Sequence, residues 1–472
     1  MTPQQVLEIA GVEVDDEVPG REARLWAQTE LGLAERIVHW HGHDLAWSPD
    51  LGCWLVWDGS IWAVDKGAAT QKRVVDVLRV KCKEEADLLE GEDAAAFRSW
   101  LRKMEAARAI RAGLQLAANM KEVPDDLFDA DPWLLSVHNG TLDLRTGELR
   151  RHRRADYITW RTEVGYDPKA TCPEWDKFVA WFTKGDAALA AYLQQLAGYW
   201  LTGRTSEQQI AIFHGDGANG KTTYLETLRR LLGPAACAAP PTLLASTGHD
   251  QHPTEIWTLR GRRLVLASES REARVLDDEK IKRLTGNEAL SARRMREDFA
   301  QFIPTHKLGV ALNHIPTITG QDHGIWRRLH LVPCAATVET GKADDSLQDK
   351  LAAELPGILA WAVRGCLAWQ KVGRLQPTPD MVKALKGLRE EMDQITMWLE
   401  ECCRTGPSYQ DTAARIYASY QHWTLARGER PKGARTLAAD LRRLGMTAYK
   451  NDGTRGWRGL CIKVVENHSD PF

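Results

Sequence analysis

The stretch "QIAIFHGDGANGKTTYLETLRRLL" (Gln209–Leu232) decides how the chain is read. "QIAIF" is an apolar run that suits a buried strand, and "TTYLETLRRLL" carries apolar residues at helical spacing. Between them Gly215 is followed by four residues and then by Gly220-Lys221-Thr222, the G-x-x-x-x-G-K-[ST] spacing in a strand–loop–helix setting. The glycines let backbone N–H groups turn inward around phosphate oxygens, and the helix N-terminus adds the positive end of its dipole. Gly215, Asp216, Gly217, Ala218, Asn219, Gly220, Lys221, Thr222 and Thr223 are therefore the candidate ATP-binding set. Lys221 is expected to reach the β- and γ-phosphates, and the Thr222 hydroxyl to ligate Mg²⁺. The loop alone goes no further, because kinases, GTPases, transporters, protein unfoldases and helicases share it.

Residues 208–335 alternate short apolar runs with helical stretches, the pattern of an α/β fold with a mostly parallel sheet. Four strands are legible. "RRLVLASE" (Arg262–Glu269) ends in a single acid, Glu269, placed to hold Mg²⁺ or to polarise an attacking water. "KLGVALNHIP" (Lys307–Pro316) ends in Asn313, an uncharged residue standing where the γ-phosphate would be sensed. "GIWRRLHLVPC" (Gly324–Cys334) places Arg327 and Arg328 before a strand. One of the two is expected to act as an arginine finger in a neighbouring subunit, and one to pair within the fold. Lys221, Glu269, Asn313, Arg327 and Arg328 are thus the candidate catalytic residues, with Thr222 and Glu269 as the metal-holding pair.

Between Glu269 and Asn313 lies "DDEKIKRLTGNEALSARRMREDFAQFIPTHK" (Asp277–Lys307). This segment resembles the extra motif of superfamily 3 helicases of the phage/plasmid primase–helicase family, which is related to the poxvirus primase–helicase. The matching residues are Lys282 to Gly286, a basic hairpin at Ala292 to Met295, and "WRR" at Trp326–Arg328. Upstream, "NGTLDL" (Asn139–Leu144), "LAGYWLTG" (Leu196–Gly203) and "WLVWDGSIW" also fit that family. The resemblance implies an AAA+-type P-loop ATPase domain, hexameric rings, 3′→5′ movement on single-stranded DNA and duplex unwinding. Lys282, Arg293, Arg294 and Arg296 would grip the phosphates of a single strand whatever its sequence. The family often carries a primase upstream. This chain starts almost at once with a linker-like segment, so primase activity is expected only from a separate protein.

The chain has 472 residues, which suggests two to four domains. The formal net charge is −2, so a nucleic-acid partner can be argued only from local basic clusters. No apolar run approaches the ~18–20 residues of a membrane span. The first residues are acidic and lack a basic-then-apolar leader, so the cytoplasm of a bacterial host is the expected location. Nine scattered cysteines with no CxxC pair point to reduced, mostly buried thiols.

The expected organisation begins with an N-terminal segment (1–70) whose hairpin turns at Asp58-Gly59, with Trp54, Trp57 and Trp62 as core. A helical and hairpin domain (71–204) and the ATPase (205–340) follow. A helical connector (341–390) then leads to a C-terminal winged helix (391–472). Three helices and a hairpin around Asp452-Gly453 suggest that last unit, which the family also carries. Its Arg442, Arg443, Lys450, Arg455 and Arg458 suit duplex DNA. "HWHGHD" (His39–Asp44) resembles the metal motif of rolling-circle nucleases, but no Tyr-x-x-x-Lys accompanies it, so structural histidines are expected. The competing function is an initiator that uses ATP only to assemble on an origin.

Overall fold

A computed structural model of the chain describes residues 26–240, 243–244, 253–268, 275–318, 323–338, 344–427, 431–451 and 454–463. Glu269 and the Asp452-Gly453 turn lie outside these residues.

Thr29 opens the first helix, α1 (Glu30–His41), by accepting the Gly32 N–H on its hydroxyl. A three-stranded antiparallel sheet follows: β1 (Leu45–Ser48), β2 (Cys53–Trp57) and β3 (Trp62–Val64). The hairpin turns where expected, because the Asp58 carboxylate accepts the N–H groups of Ser60 and Ile61 and Trp57 pairs with Trp62. Trp54, Trp57 and Trp62 are buried and serve as core. Helices α2 (Ala68–Asp76), α3 (Cys82–Ala86), α4 (Gly91–Met104) and α5 (Ala107–Met120) pack with α1 and β2 around a buried Arg36–Glu85 ion pair at 2.5 Å. A second antiparallel sheet, β4 (Leu134–Val137), β5 (Gly140–Asp143) and β6 (Glu148–Arg150), turns near Asn139-Gly140 and Thr146-Gly147, as the sequence indicates. Helices α6 (Pro173–Phe182) and α7 (Ala187–Leu201) lead on from it.

Then come β7 (Ile210–His214), α8 (Lys221–Leu232), β8 (Ala236–Ala238), α9 (Pro253–Trp257), β9 (Leu264–Ser268) and β10 (Val275–Leu276). After these follow α10 (Asp278–Leu284), β11 (Leu290–Ala292), β12 (Ala300–Phe302), β13 (Lys307–Leu312), β14 (Thr317–Ile318), α11 (His323–Trp326) and β15 (Leu329–Pro333). Five strands in the order β15-β7-β13-β9-β8 make one parallel sheet. The run "IAIF" (Ile210–Phe213) is apolar throughout because both faces are covered: Ala211 and Phe213 enter one core, Ile210 and Ile212 the other. The fifth strand, β8, was not among the four expected. Its Ala-Cys-Ala sequence has little strand propensity, and it holds the edge by pairing with β9.

Helices α12 (Leu347–Ala353) and α13 (Leu355–Val372) follow. Gly198 of α7 lies against Gly365 and Cys366 of α13, where an added Cβ would collide with backbone. Among the described residues no single helix is long and apolar enough to cross a membrane. The bent pair α12–α13 passes on composition, and the buried residues of α13 in the main core account for that apolarity.

The boundary expected at 390–391 falls inside α14 (Pro379–Cys402), an unbroken helix of 24 residues, so connector and C-terminal unit share an element. Beyond it lie β16 (Cys403–Thr412), α15 (Ala413–Ala426), α16 (Ala434–Arg443), β17 (Thr447–Asn451) and β18 (Thr454–Ile462). They enclose a separate core around Trp398, Tyr420, Leu441 and Trp457. β16 makes the expected hairpin a three-stranded sheet, order β16-β18-β17. It was missed because "RTGPSYQDT" is polar and holds Gly and Pro, which read as loop.

Two buried cations fasten the parallel sheet to what precedes it. Arg263, at the start of β9, donates to the carbonyls of Leu201 (2.6 Å), Leu134 (2.7 Å) and Pro132 (3.1 Å). Lys307, at the start of β13, donates to the carbonyls of Thr202 and Thr305. Both therefore meet the C-terminal end of α7, where helix carbonyls favour positive charge. Burial lowers the Arg263 pKa to about 10 and holds that of Lys307 well below its ordinary value. Arg263→Ala should strip three carbonyls of their donor and cost about 3–5 kcal/mol. In a thermal melt that corresponds to a fall on the order of 10 °C; a variant melting within roughly 2 °C of wild type would contradict the clamp.

Candidate functional site

The candidate phosphate loop connects the C-terminal end of β7 to α8. Gly220 holds φ +80°, which a residue with a Cβ rarely adopts, and an added Cβ would press on Trp181, Phe178 and Phe182 of α6. No side chain caps α8 at Gly220, so the first-turn N–H groups face the loop without a side-chain acceptor there. Asn219 is buried and donates to the Cys334 carbonyl at 3.2 Å, and the Val338 N–H donates to Ala218 O at 2.9 Å. The loop is thereby tied to the chain that follows β15. Thr222 is exposed in the first turn of α8, with Thr223 half-buried beside it.

Lys221 is buried, and its ammonium donates to Gly215 O (2.6 Å), Asp216 O (3.2 Å) and Asn313 Oδ1 (3.1 Å). Residues 221 and 313, 92 apart in sequence, therefore meet directly. The register explains why: Leu312 of β13 lies opposite His214 of β7, so Asn313 emerges beside the loop. Burial and then the Lys221 charge lower the His214 pKa. On the other side of β13, Ser268 pairs one residue before the strand end, opposite Ala311; Glu269 lies outside the described residues.

Arg327 and Arg328 occupy the opposite edge of the sheet. Both reach Gln208, just before β7: Arg327 at 2.9 Å and Arg328 at 3.4 Å. Arg328 is half-buried and also donates to Gly324 O (2.6 Å) and to the Thr285 hydroxyl (3.2 Å) of the Leu-Thr-Gly motif. Arg327 is exposed. The five residues of β7 separate this edge from the phosphate loop by about 15 Å. Neither arginine reaches its own chain's loop.

The basic hairpin forms as expected from β11 and β12, with Ala292 opposite Ala300. Arg296 takes φ +65° within its turn. Arg293 stacks on Phe299 at 4.9 Å, while Arg294 stacks on Trp257 at 5.4 Å and pairs with Glu297 at 3.6 Å. Lys282, grouped with these arginines from the sequence, sits apart from the hairpin on α10 and is half-buried. A cleft of about 1030 Å³ adjoins the hairpin and is lined by Arg294, Trp257, Arg260 and Arg204 together with Asp50 and Asp126. The aromatic partners Trp257 and Phe299 were missed in the sequence, because a tryptophan ending a short helix gives no sign of facing a cleft.

In the C-terminal unit, Arg442, Lys450 and Arg455 line one groove of about 470 Å³ with an apolar floor. Lys450 and Arg455 are cross-strand partners, Arg442 lies over Trp457, and Arg458 over Tyr449. The Arg443 side chain lies outside what is described. The histidine motif is tied into the fold: His41 bonds Asp76 at 3.1 Å, and Asp44 pairs with His43 and Arg154. No group of three His, Cys, Asp or Glu is arranged to hold a metal among the described residues. All nine cysteines are free.

Residues 34–184 match the family model described as D5 N terminal like, and residues 213–328 match a family of unknown function, DUF5906. The protein named "Putative helicase L207/L206" of Acanthamoeba polyphaga mimivirus is 27% identical over 273 residues, 53% of this chain and 28% of that one. The "Putative primase C962R" of African swine fever virus (isolate Tick/Malawi/Lil 20-1/1983) is 26% identical over 216 residues, 43% of this chain and 22% of that one. The chain thus spans about a quarter of the length of these curated relatives. The apo structure of the NrS-1 C terminal region aligns with 92% of this chain and 100% of that one, at 11% identity and a TM-score of 0.48, too low to argue from. The D5 model lies on the sheets and helices before the Gly215–Gly220 loop, the second model spans that loop to Arg328, and both viral relatives are named for replication enzymes: over these segments the chain is similar to the D5-like primase–helicase family.

Proposed function

We propose that the chain is an ATP-dependent DNA helicase that works as a ring, an AAA+-type P-loop motor with a winged helix at its C-terminal end. The observation that carries this reading is the Lys221–Asn313 hydrogen bond at one edge of the sheet, with Arg327 exposed at the other. The uncapped start of α8 and the Gly220 turn suit the phosphates of ATP, and Thr222 is the hydroxyl for Mg²⁺, which when bound neutralises charge on those phosphates. Glu269 is assigned to polarise the attacking water.

Asn313 shares Lys221 with the loop, so a γ-phosphate would compete for that ammonium and release the amide. Asn313 follows β13, and the start of β13 connects through only four residues to β12 of the basic hairpin. One strand therefore links the sensing position to the hairpin, and rigid-body movement of β13 would carry Arg293, Arg294 and Arg296 with it. Around a hexameric ring, successive movements would draw single-stranded DNA through in the 3′→5′ direction and part a duplex. Arg327 would complete the neighbouring subunit's site.

Single-stranded DNA should stimulate hydrolysis. Arg294→Ala with Arg296→Ala should keep basal hydrolysis, weaken DNA binding, and flatten the slope of log affinity against log salt by about 1.4, from two phosphate contacts at ~0.7 each. An unchanged slope would remove the hairpin from the DNA path. The groove lined by Arg442, Lys450 and Arg455 favours a second reading, an initiator in which duplex binding by this unit does the main work.

A further inference from the structure

Charge does not account for the whole of the hairpin. Among the described residues, Trp181 and Phe299 are the exposed tryptophan and phenylalanine side chains, and Phe299, at 58% exposure, stands on the hairpin. Met295 at its turn is 75% exposed, and Ile303 at its base 62%. Phosphate gripping needs none of these. An exposed apolar surface costs solvation unless a partner covers it.

The aromatic residues are also paired with the arginines. Arg293 lies 4.9 Å over Phe299. In the cleft, Trp257 is flanked by Arg260 at 4.9 Å and Arg294 at 5.4 Å, and Phe302 meets it edge-on at 6.4 Å. A guanidinium held flat on a ring keeps its N–H groups in its own plane, directed outward to phosphate. The ring edge and the remaining apolar surface are then positioned for a flat, uncharged partner. Two such cation–aromatic sets, Arg293–Phe299 on the hairpin and Arg294–Trp257 in the cleft, each put a group suited to phosphate beside a group suited to a base.

We propose that the hairpin and the adjoining cleft hold single-stranded DNA by its bases as well as by its phosphates, with Phe299 and Trp257 as stacking stations. The proposal rests on the DNA-binding reading above and adds the part of the nucleic acid that is recognised. Cation–aromatic stacking of this kind tolerates any base, since every base has a π-face. It also selects single strands, because the bases of a duplex are already stacked.

Binding is measured on a normal oligonucleotide and on an abasic one of equal length, which carries the same phosphates without bases. Wild type should prefer the normal strand by about tenfold or more. Phe299→Ala, a change at an exposed position, should lower that preference several-fold, leaving the share that Trp257 supplies, while binding the abasic strand as wild type does, with its salt slope unchanged. Phe299→Tyr should restore the preference. Equal wild-type affinity for both strands would overturn the inference and leave phosphate binding standing. A wild-type preference untouched by Phe299→Ala would overturn the assignment to this station. Failure of wild type to bind either strand would sink the DNA-binding reading itself.

Discussion

Lys221→Ala should abolish nucleotide hydrolysis, lowering turnover by about three orders of magnitude or more. The ammonium is the charged centre of the loop and makes three contacts at once, to Gly215 O, Asp216 O and Asn313 Oδ1. Alanine removes the charge and also separates the loop from Asn313. The structural penalty is smaller: two loop carbonyls lose a donor, about 1–3 kcal/mol each if water does not replace it. Phosphate release measured beside a melting curve distinguishes lost chemistry from lost fold. Turnover near that of wild type would reject the site.

Arg327→Ala should lower hydrolysis by about 10³-fold or more, the scale of an arginine finger. Arg327 has one described side-chain partner, Gln208, and an exposed head, so its loss should hardly alter the melt. Arg328 differs. It joins Gly324, Gln208 and Thr285, so its replacement should destabilise the region between α10 and β15. Mixing inactive Arg327→Ala subunits with inactive Glu269→Gln subunits should recover part of the activity, since some interfaces then join an intact finger to an intact loop. Absence of recovery at every mixing ratio would contradict action in trans.

Much of the sheet was legible because its strands are buried on both faces and read as unbroken apolar runs. "QIAIF" and "KLGVAL" could hardly be anything else between helices. The exceptions share a cause. β8 and β16 take their pairing from neighbours, and neither alanine-rich nor Gly-Pro-containing segments announce that locally. The C-terminal boundary at 390–391 falls inside α14, where helical periodicity never breaks: Leu388 packs against the core of the parallel sheet and Ile395 belongs to the C-terminal core.

The site was legible as a set of strand ends, and the parallel register explains why. Residues that follow β7 and β13 must share an edge, so Asn313 could be placed beside Lys221 from order alone. The two arginines could not be told apart in sequence, because the difference lies in Thr285 and Gly324, which contact Arg328 through the fold. Lys282 was grouped with the hairpin by charge and proximity in sequence, yet it belongs to α10. Spacing finds the loop and the strand tips; it does not find Trp257, whose role depends on the cleft it faces.

The central claim is that nucleotide hydrolysis at this loop drives strand separation, and displacement of a labelled strand from a tailed duplex tests it most directly. The chain with ATP and Mg²⁺ should release the strand from a 3′-tailed duplex and lose that activity on Lys221→Ala. DNA-stimulated hydrolysis with no displacement from any tailed duplex would contradict the motor and favour the initiator.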